Sequence, residues 1–199
     1  MSVRIASGRF KGRKIRTVSG PGYRPAMDKV RQAVFSMLEA RGITWEESRV
    51  LDLFAGSGSL GLEALSRGAQ CAWFVERSGK AISALRQTLT HLEVPAFQYR
   101  LIVKKVDQIL HSSPPVSFDV IFIDPPYGYH LLTPTLQALS KSQWLVPHGL
   151  VVGEVEAGCQ VEAVPGFEEI VNRTYGQTRI VLWTVPNKKQ LSIQEPSTL

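Results

Sequence analysis

Asp124-Pro125-Pro126-Tyr127 closes the apolar run Phe118 to Ile123, and its residue types make an acceptor site. The two prolines fix φ and offer carbonyls without N–H donors. Asp124 adds a carboxylate and Tyr127 an aromatic face. Such a set receives protons from an amino group and is ill suited to cradling phosphates. The exocyclic amine of a nucleobase is one such group. Its lone pair is delocalised into the ring, so it is a poor nucleophile. Accepting both of its N–H bonds, through the Asp124 carboxylate and the Pro125 carbonyl, would push the nitrogen toward sp³ and aim its lone pair at a donor methyl. Tyr127 would stack on the extruded base. A sulfonium is an excellent leaving group, so the remaining barrier is one of positioning and local charge. Asp124 need not be a strong base, because the product ammonium loses its proton readily. A rigid turn after a strand, with no ligand, is the plain alternative.

A second stretch supplies the partner for that chemistry. Val50 to Phe54 reads as a short buried strand, followed by Ala55-Gly56-Ser57-Gly58 and the start of a helix. Gly56 and Gly58 allow a sharp turn and a close ligand approach. Ser57 and Ser59 are candidate N-caps for the helix that follows. A helix N-terminus suits an anionic or strongly polar ligand. Gly56-x-Gly58-x-x-Gly61, with Glu76 twenty residues after Gly56, matches the dinucleotide fingerprint. Alone, that spacing fits a nicotinamide enzyme and an S-adenosylmethionine enzyme equally well. A nicotinamide enzyme has no evident use for Asp124-Pro125-Pro126-Tyr127, and the chain offers no obvious catalytic proton donor for one.

Both stretches must be positioned by an alternating βα series. Strands are expected at 50–54, 71–75, 98–103, 118–123 and 149–155, with helices at 59–67, 79–92, 106–110 and 131–141 between them. This pattern predicts a mainly parallel sheet with helices on both faces. Stretches 167–174 and 179–185, joined by Tyr175-Gly176-Gln177, predict a closing antiparallel hairpin. Upstream, Val3 to Ile5 and Lys14 to Val18 read as two short strands of a basic hairpin. A helix within the stretch from Arg24 to Leu38 ends near Gly42, packs its apolar face inward and shows Lys29 and Arg31 elsewhere. The expected organisation is a hairpin extension over 1–22, one domain over 23–186 and a loose tail over 187–199.

The charge of +6 is unevenly placed. Residues 1–49 carry 11 Lys/Arg against 4 Asp/Glu, and the remainder 12 against 13. That asymmetry points to a polyanion met by Arg9, Lys11, Arg13, Lys14 and Arg16. Phe10 among them either stacks on a base or pins the hairpin to the body. No apolar run approaches the roughly 18 residues of a membrane span. The start of the chain has no signal-peptide pattern. Cys71 and Cys159 stand far apart, outside any metal or redox spacing, so a reducing cytoplasm is expected. His91, His111, His130 and His148 form no ligand cluster, and no metal is assigned. The chain is taken as a monomer.

Leu51-Asp52-Leu53-Phe54-Ala55-Gly56-Ser57-Gly58 together with Asp124-Pro125-Pro126-Tyr127 resembles the S-adenosylmethionine-dependent amino-methyltransferases. Arg4-Ile5 with Gly8, Lys11-Gly12-Arg13-Lys14, Arg24-Pro25, Asp28-Lys29-Val30-Arg31 and the run Gly61 to Ala69 narrow the likeness. In combination, across residues 3–185, they resemble the RsmD family, bacterial methyltransferases acting on guanine N2 of small-subunit (16S) ribosomal RNA. The resemblance implies a Rossmann-like class I methyltransferase fold, with a seven-stranded sheet and a small N-terminal β-hairpin extension. It implies 16S ribosomal RNA, or a small-subunit assembly particle, as substrate. It places the methionine end of the cofactor near Asp52, Phe54, Ala55, Gly56, Ser57 and Gly58, with Arg24-Pro25 over it and Asp124 alongside. Glu76 would hold the ribose hydroxyls, Arg77 would flank the adenine, and Asp107 would meet its amino group. The family usually shows Thr or Ser after that proline and an acid after the arginine matching Arg31. Here Ala26, Met27 and Gln32 stand, so those contacts are not carried over. The bare motif serves adenine N6, in DNA or RNA, as well as guanine N2. A non-catalytic RNA-binding assembly protein with a vestigial cofactor site is the reading from another class.

Overall fold

Val50 packs into one apolar layer and Leu51 and Leu53 into another, so their strand is covered on both faces. That is the signature of a parallel strand at the centre of an α/β sheet. The computed structural model describes residues 3–18, 25–126, 128 and 130–186, with residues 25–27 as backbone only. In chain order the elements are α1 (Pro25–Glu39), β1 (Arg49–Leu53), α2 (Ser59–Arg67), β2 (Cys71–Val75), α3 (Gly79–His91) and β3 (Tyr99–Ile102). Then follow α4 (Val106–Leu110), β4 (Phe118–Ile123), α5 (Leu132–Ser140), β5 (Leu145–Glu156), β6 (Glu168–Tyr175) and β7 (Thr178–Thr184). The sheet order is β3-β2-β1-β4-β5-β7-β6. The first five strands run parallel, and β7 pairs antiparallel with both β5 and β6. Helices α1, α2 and α3 cover one face, and α4 and α5 the other.

The mainly parallel seven-stranded sheet and its closing hairpin are as the sequence pattern predicts. One strand differs. β5 begins at Leu145, not at 149, and its register with β4 shifts between Phe118 and Val120. The sequence reading starts this strand only at Gly149, after Pro147 and His148. In the structure His148 takes a left-handed φ of 62°, and pairing continues on either side of the irregularity. Such a bulge absorbs turn-like residues without ending the strand.

The N-terminal hairpin is looser than two strands. Its ladder is a single antiparallel bridge, Arg4 to Lys14, outside the named strands. Its arms are held together by the Ile5 N–H to the Arg13 carbonyl, the Gly12 N–H to the Ile5 carbonyl and the Ile15 N–H to the Val3 carbonyl, and the segment is also fastened to α2. The Ala6 N–H donates to Glu63 Oε2 at 2.7 Å, the Arg9 N–H to the Ser66 carbonyl at 2.7 Å, and the Phe10 N–H to Ser66 Oγ at 2.9 Å. A Cβ on Gly8 would collide with the Ser66 carbonyl, so only glycine allows this approach. Val3, Ile5 and Ile15 are buried in the core beneath, and Phe10 packs partly against it.

Arg31 is a correction to the sequence reading. It is only 6% exposed and turns inward rather than to solvent. Its guanidinium meets Asp28 at 2.8 Å and Glu63 at 3.7 Å and donates to the Arg4 carbonyl. Glu63, fully buried, also pairs with Arg67 at 3.2 Å. Helical spacing alone assigned Arg31 to a surface that the N-terminal segment in fact covers.

Candidate active site

β1 and β4 are adjacent and parallel, with Leu53 opposite Ile123. The next residues, Phe54 and Asp124, therefore leave the sheet side by side. Strand order reverses at this point, which is where open α/β sheets bind ligands. A cleft of about 1420 Å³ opens there. That exceeds the ~300–1,000 Å³ of a usual small-molecule site and leaves room for more than one ligand. Of the residues singled out in the sequence, Phe54, Gly56, Glu76, Arg77 and Asp107 line it. So do Asp124, Pro125 and Pro126. Asp52, Ala55 and Gly58 are buried and Ser57 half-buried, and none of the four is among the lining residues. Tyr127 and Arg24 lie outside the described residues, and Pro25 is described only as the first backbone position of α1.

The turn after β1 has left-handed backbone at Phe54 (φ 61°), Gly56 (φ 52°) and Gly58 (φ 75°). For a bulky residue such as Phe54 that conformation is strained, and strain of this kind gathers at ligand sites. A Cβ on Gly56 would meet nothing nearer than the Phe54 carbonyl at 3.9 Å, so the backbone there is open to a ligand. Gly61 does different work: a Cβ would run into the Phe74 ring, so its bareness lets α2 pack on β2.

Ser57 and Ser59 do not cap α2. The N-cap position is Gly58, with no side-chain bond from its own segment. Asp52, from within β1, takes the role: its Oδ2 accepts the Gly61 N–H at 3.0 Å. A carboxylate at a helix N-terminus is favoured by the helix dipole. Glu76 clamps the same turn. One oxygen accepts the Gly56 N–H at 3.0 Å, and the other the Ser78 N–H at 2.7 Å. These two bonds fix the carboxylate at the cleft wall.

The carboxylates at this end of the sheet face other acids. Asp52, 2% exposed, is pushed up to about 7 by burial, opposed by its bond to Gly61 and aided by Glu76. Asp124 is raised well above the ordinary carboxylate range by loss of water, then by Glu154 and by Asp52. Perturbed acids in a cleft mark a functional site, and a cationic ligand would relieve them. Glu154 lines the cleft at the carboxyl end of β5 and went unnoticed in the sequence. The rule that placed Asp124, acids at the carboxyl ends of parallel strands, applied to Gly153-Glu154 would have found it.

Arg77, Lys104 and Lys105 also line the cleft, whereas the basic residues of the N-terminal segment lie elsewhere. The Gln70 N–H donates to the Ser48 carbonyl, so α2 ends at the amino end of β1. Ser66, which holds the N-terminal segment, is therefore about 10 Å along the helix from the cleft turn, at 1.5 Å per residue. Arg9 donates to Gln98 at 2.7 Å, Arg13 to the His91 carbonyl at 2.9 Å, and Arg16 to Gln87 at 3.2 Å. Lys11 and Lys14 are exposed. Among the described residues no group of His, Cys, Asp and Glu is arranged to hold a metal, and no helix is long and apolar enough to cross a membrane.

The family described as Conserved hypothetical protein 95 matches residues 3–184. "Ribosomal RNA small subunit methyltransferase D" of Haemophilus influenzae is 35% identical over 155 residues, 77% of this chain and 79% of that one. The chain belongs to the RsmD family. The solved structure of yhhF from Escherichia coli superposes with a TM-score of 0.82 at 30% identity, covering 93% of this chain and 98% of that one. Magnesium protoporphyrin IX methyltransferase of Synechocystis PCC 6803, solved with bound SAM, shares the fold alone: TM-score 0.62, 14% identity, covering 84% and 87%. The chain thus has the Rossmann-like fold of the S-adenosylmethionine-dependent class I methyltransferases.

Proposed function

We propose that this chain transfers a methyl group from S-adenosylmethionine to the exocyclic N2 of a guanine in 16S ribosomal RNA, acting as a cytoplasmic monomer. One observation carries the reading: Asp124 and Pro125 emerge beside Phe54 and Gly56 and line one cleft with them. The residues present fit the cofactor. Gly56 leaves open backbone for it, and Glu76 holds an acceptor pair ready for a ribose. Arg77 and Asp107 line the cleft where an adenine would lie. Arg24 and Pro25 are assigned to the methionine end on the family resemblance. When bound, S-adenosylmethionine supplies a methyl that passes to the nitrogen lone pair while the S–C bonding pair stays on sulfur as a thioether.

Asp124 and the Pro125 carbonyl accept the two N–H bonds of the amine and localise its lone pair. Tyr127 stacks on the base. After transfer the nitrogen's surplus proton leaves through Asp124 to water. Asp52 supports the turn from behind by holding the α2 terminus. Arg9, Lys11, Arg13, Lys14 and Arg16 take phosphates of the same RNA, from the other end of α2. The name carried by the Haemophilus relative supports ribosomal RNA as substrate.

The test is calorimetry joined to turnover. S-adenosylhomocysteine should bind and NAD should not. Asp124→Ala should keep cofactor affinity within a few-fold and abolish transfer. Loss of cofactor affinity and turnover together would show that Asp124 serves the cofactor rather than the amine.

A further inference from the structure

The reaction above leaves two acids of the cleft unused, Glu154 and the exposed Glu156, and Glu154 is the one beside Asp124. In the β4–β5 register Ile123 lies opposite Gly153. Asp124 and Glu154 are the next residues on adjacent parallel strands, and paired positions point to the same side of a sheet. Glu154 is accordingly the largest charged influence on Asp124. A second, smaller cavity of about 220 Å³ adjoins the cleft. Pro125, Pro126 and Glu154 line both spaces, and Leu131, Val155 and Val161 give the smaller one apolar walls. Glu154 thus stands at the threshold between the cofactor cleft and a chamber for one flat ring system.

The proposed substrate edge has a feature that this pair matches. Guanine presents N1–H next to its N2 amine, two neighbouring donors. Adenine presents an N1 lone pair next to its N6 amine. Asp124 and the Pro125 carbonyl suffice for either amine, which is why the motif cannot separate them. A carboxylate beside N1 can. It accepts from guanine N1–H and is opposed, lone pair against lone pair, by adenine N1. Sites that bond a substrate N–H reject the analogue lacking it far more strongly than apolar pockets reject a change of shape.

Resting on the methyl-transfer reading above, we infer that Glu154 is the base-reading residue: it accepts the N1–H of the target guanine while Asp124 and Pro125 hold the N2 amine, and it excludes adenine. This assigns the smaller cavity to the body of the extruded base.

The test uses 2-aminopurine, which keeps the N2 amine, replaces N1–H by a lone pair and lacks O6, so the change in preference between wild type and the Glu154 variants is what reports on N1. Small-subunit particles are reconstituted with RNA carrying guanine or 2-aminopurine at the position the wild-type protein methylates. Wild type should prefer guanine by about 10²-fold or more in kcat/KM. Glu154→Gln, whose amide can donate to N1, should bring that preference to within about tenfold, mostly by losing rate on guanine. Glu154→Ala should likewise lose discrimination. S-adenosylhomocysteine affinity should stay within a few-fold of wild type in both variants, which establishes that the cleft is folded. An undiminished preference in folded Glu154→Gln and Glu154→Ala overturns the assignment of Glu154 and leaves the guanine reading standing. Methylation by wild type of some other group overturns the guanine reading itself.

Discussion

The two halves of α2 are served by buried carboxylates in opposite circumstances. Asp52, at the cleft end, bonds a backbone N–H and has Glu76 and Asp124 as charged neighbours. Glu63, further along the helix, meets the guanidinia of Arg31 and Arg67 and the Ala6 N–H. Both are essentially inaccessible, at 2% and 0%. Burial is common to both ends, so the partners make the difference. Glu63 is neutralised within the fold and ties α1, α2 and the N-terminal segment together. Asp52 and Asp124 are left among acids, an arrangement that destabilises the empty protein and favours a cationic ligand. In the proposed reading the acids of the cleft end meet the sulfonium, while the anchor end is complete within the fold.

The comparison can be broken at four places. The largest effect is at Asp124: Asp124→Ala should lower single-turnover methyl transfer by at least about 10²–10³-fold, the loss seen when a group acting in the transition state is removed. Next is Glu63→Ala. It takes the buried carboxylate from between Arg31 and Arg67, leaves them only Asp28 and Glu39, and leaves the Ala6 N–H without its acceptor, and urea denaturation should show a loss of about 3 kcal/mol. A loss below 1 kcal/mol would mean that the anchor end is not the structural one.

Asp52→Asn comes third and has the opposite sign. The folded protein holds the Asp52 proton to about 7, whereas the unfolded chain releases it near 3.8. Stability therefore falls as pH rises between these values, and the full cost, roughly 4 kcal/mol at most, applies above 7. Asparagine keeps an acceptor for the Gly61 N–H and has no charge to bury. The variant should melt higher than wild type at pH 8 and alike near pH 4. A gain that does not change with pH would contradict the raised Asp52. The smallest effect is at the basic segment. Reversing the charge of Arg9, Lys11, Arg13 and Lys14 should weaken RNA binding by about tenfold and lower its log–log salt slope by up to about four, with cofactor affinity unchanged.

The sequence made the parallel sheet legible because β1, β2 and β4 are short apolar runs punctuated by glycine or proline, and α2 stops at Gly68. It also made legible the pairing of Gly56 with Asp124, because carboxyl ends of parallel strands converge. What it hid depended on long-range contact. The serines near Gly58 carry the local chemistry of a cap, yet the cap comes from Asp52 in the preceding strand. Arg31 has the polarity of a surface residue, yet the N-terminal segment and Glu63 close over it. The hairpin has strand-like residues at both ends, yet Ser66 and Glu63 take backbone N–H groups near its tip. Glu154 lies in an unremarked strand end and acquires meaning only from the β4–β5 register.

The most direct measurement of the central claim is the identity of the product. Methyl-labelled S-adenosylmethionine is incubated with the protein and unmodified small ribosomal subunits, and the labelled nucleoside is identified by mass spectrometry. The account predicts N2-methylguanosine with wild type and no labelled nucleoside with Asp124→Ala. Label in N6-methyladenosine, or equal label with Asp124→Ala, would contradict it.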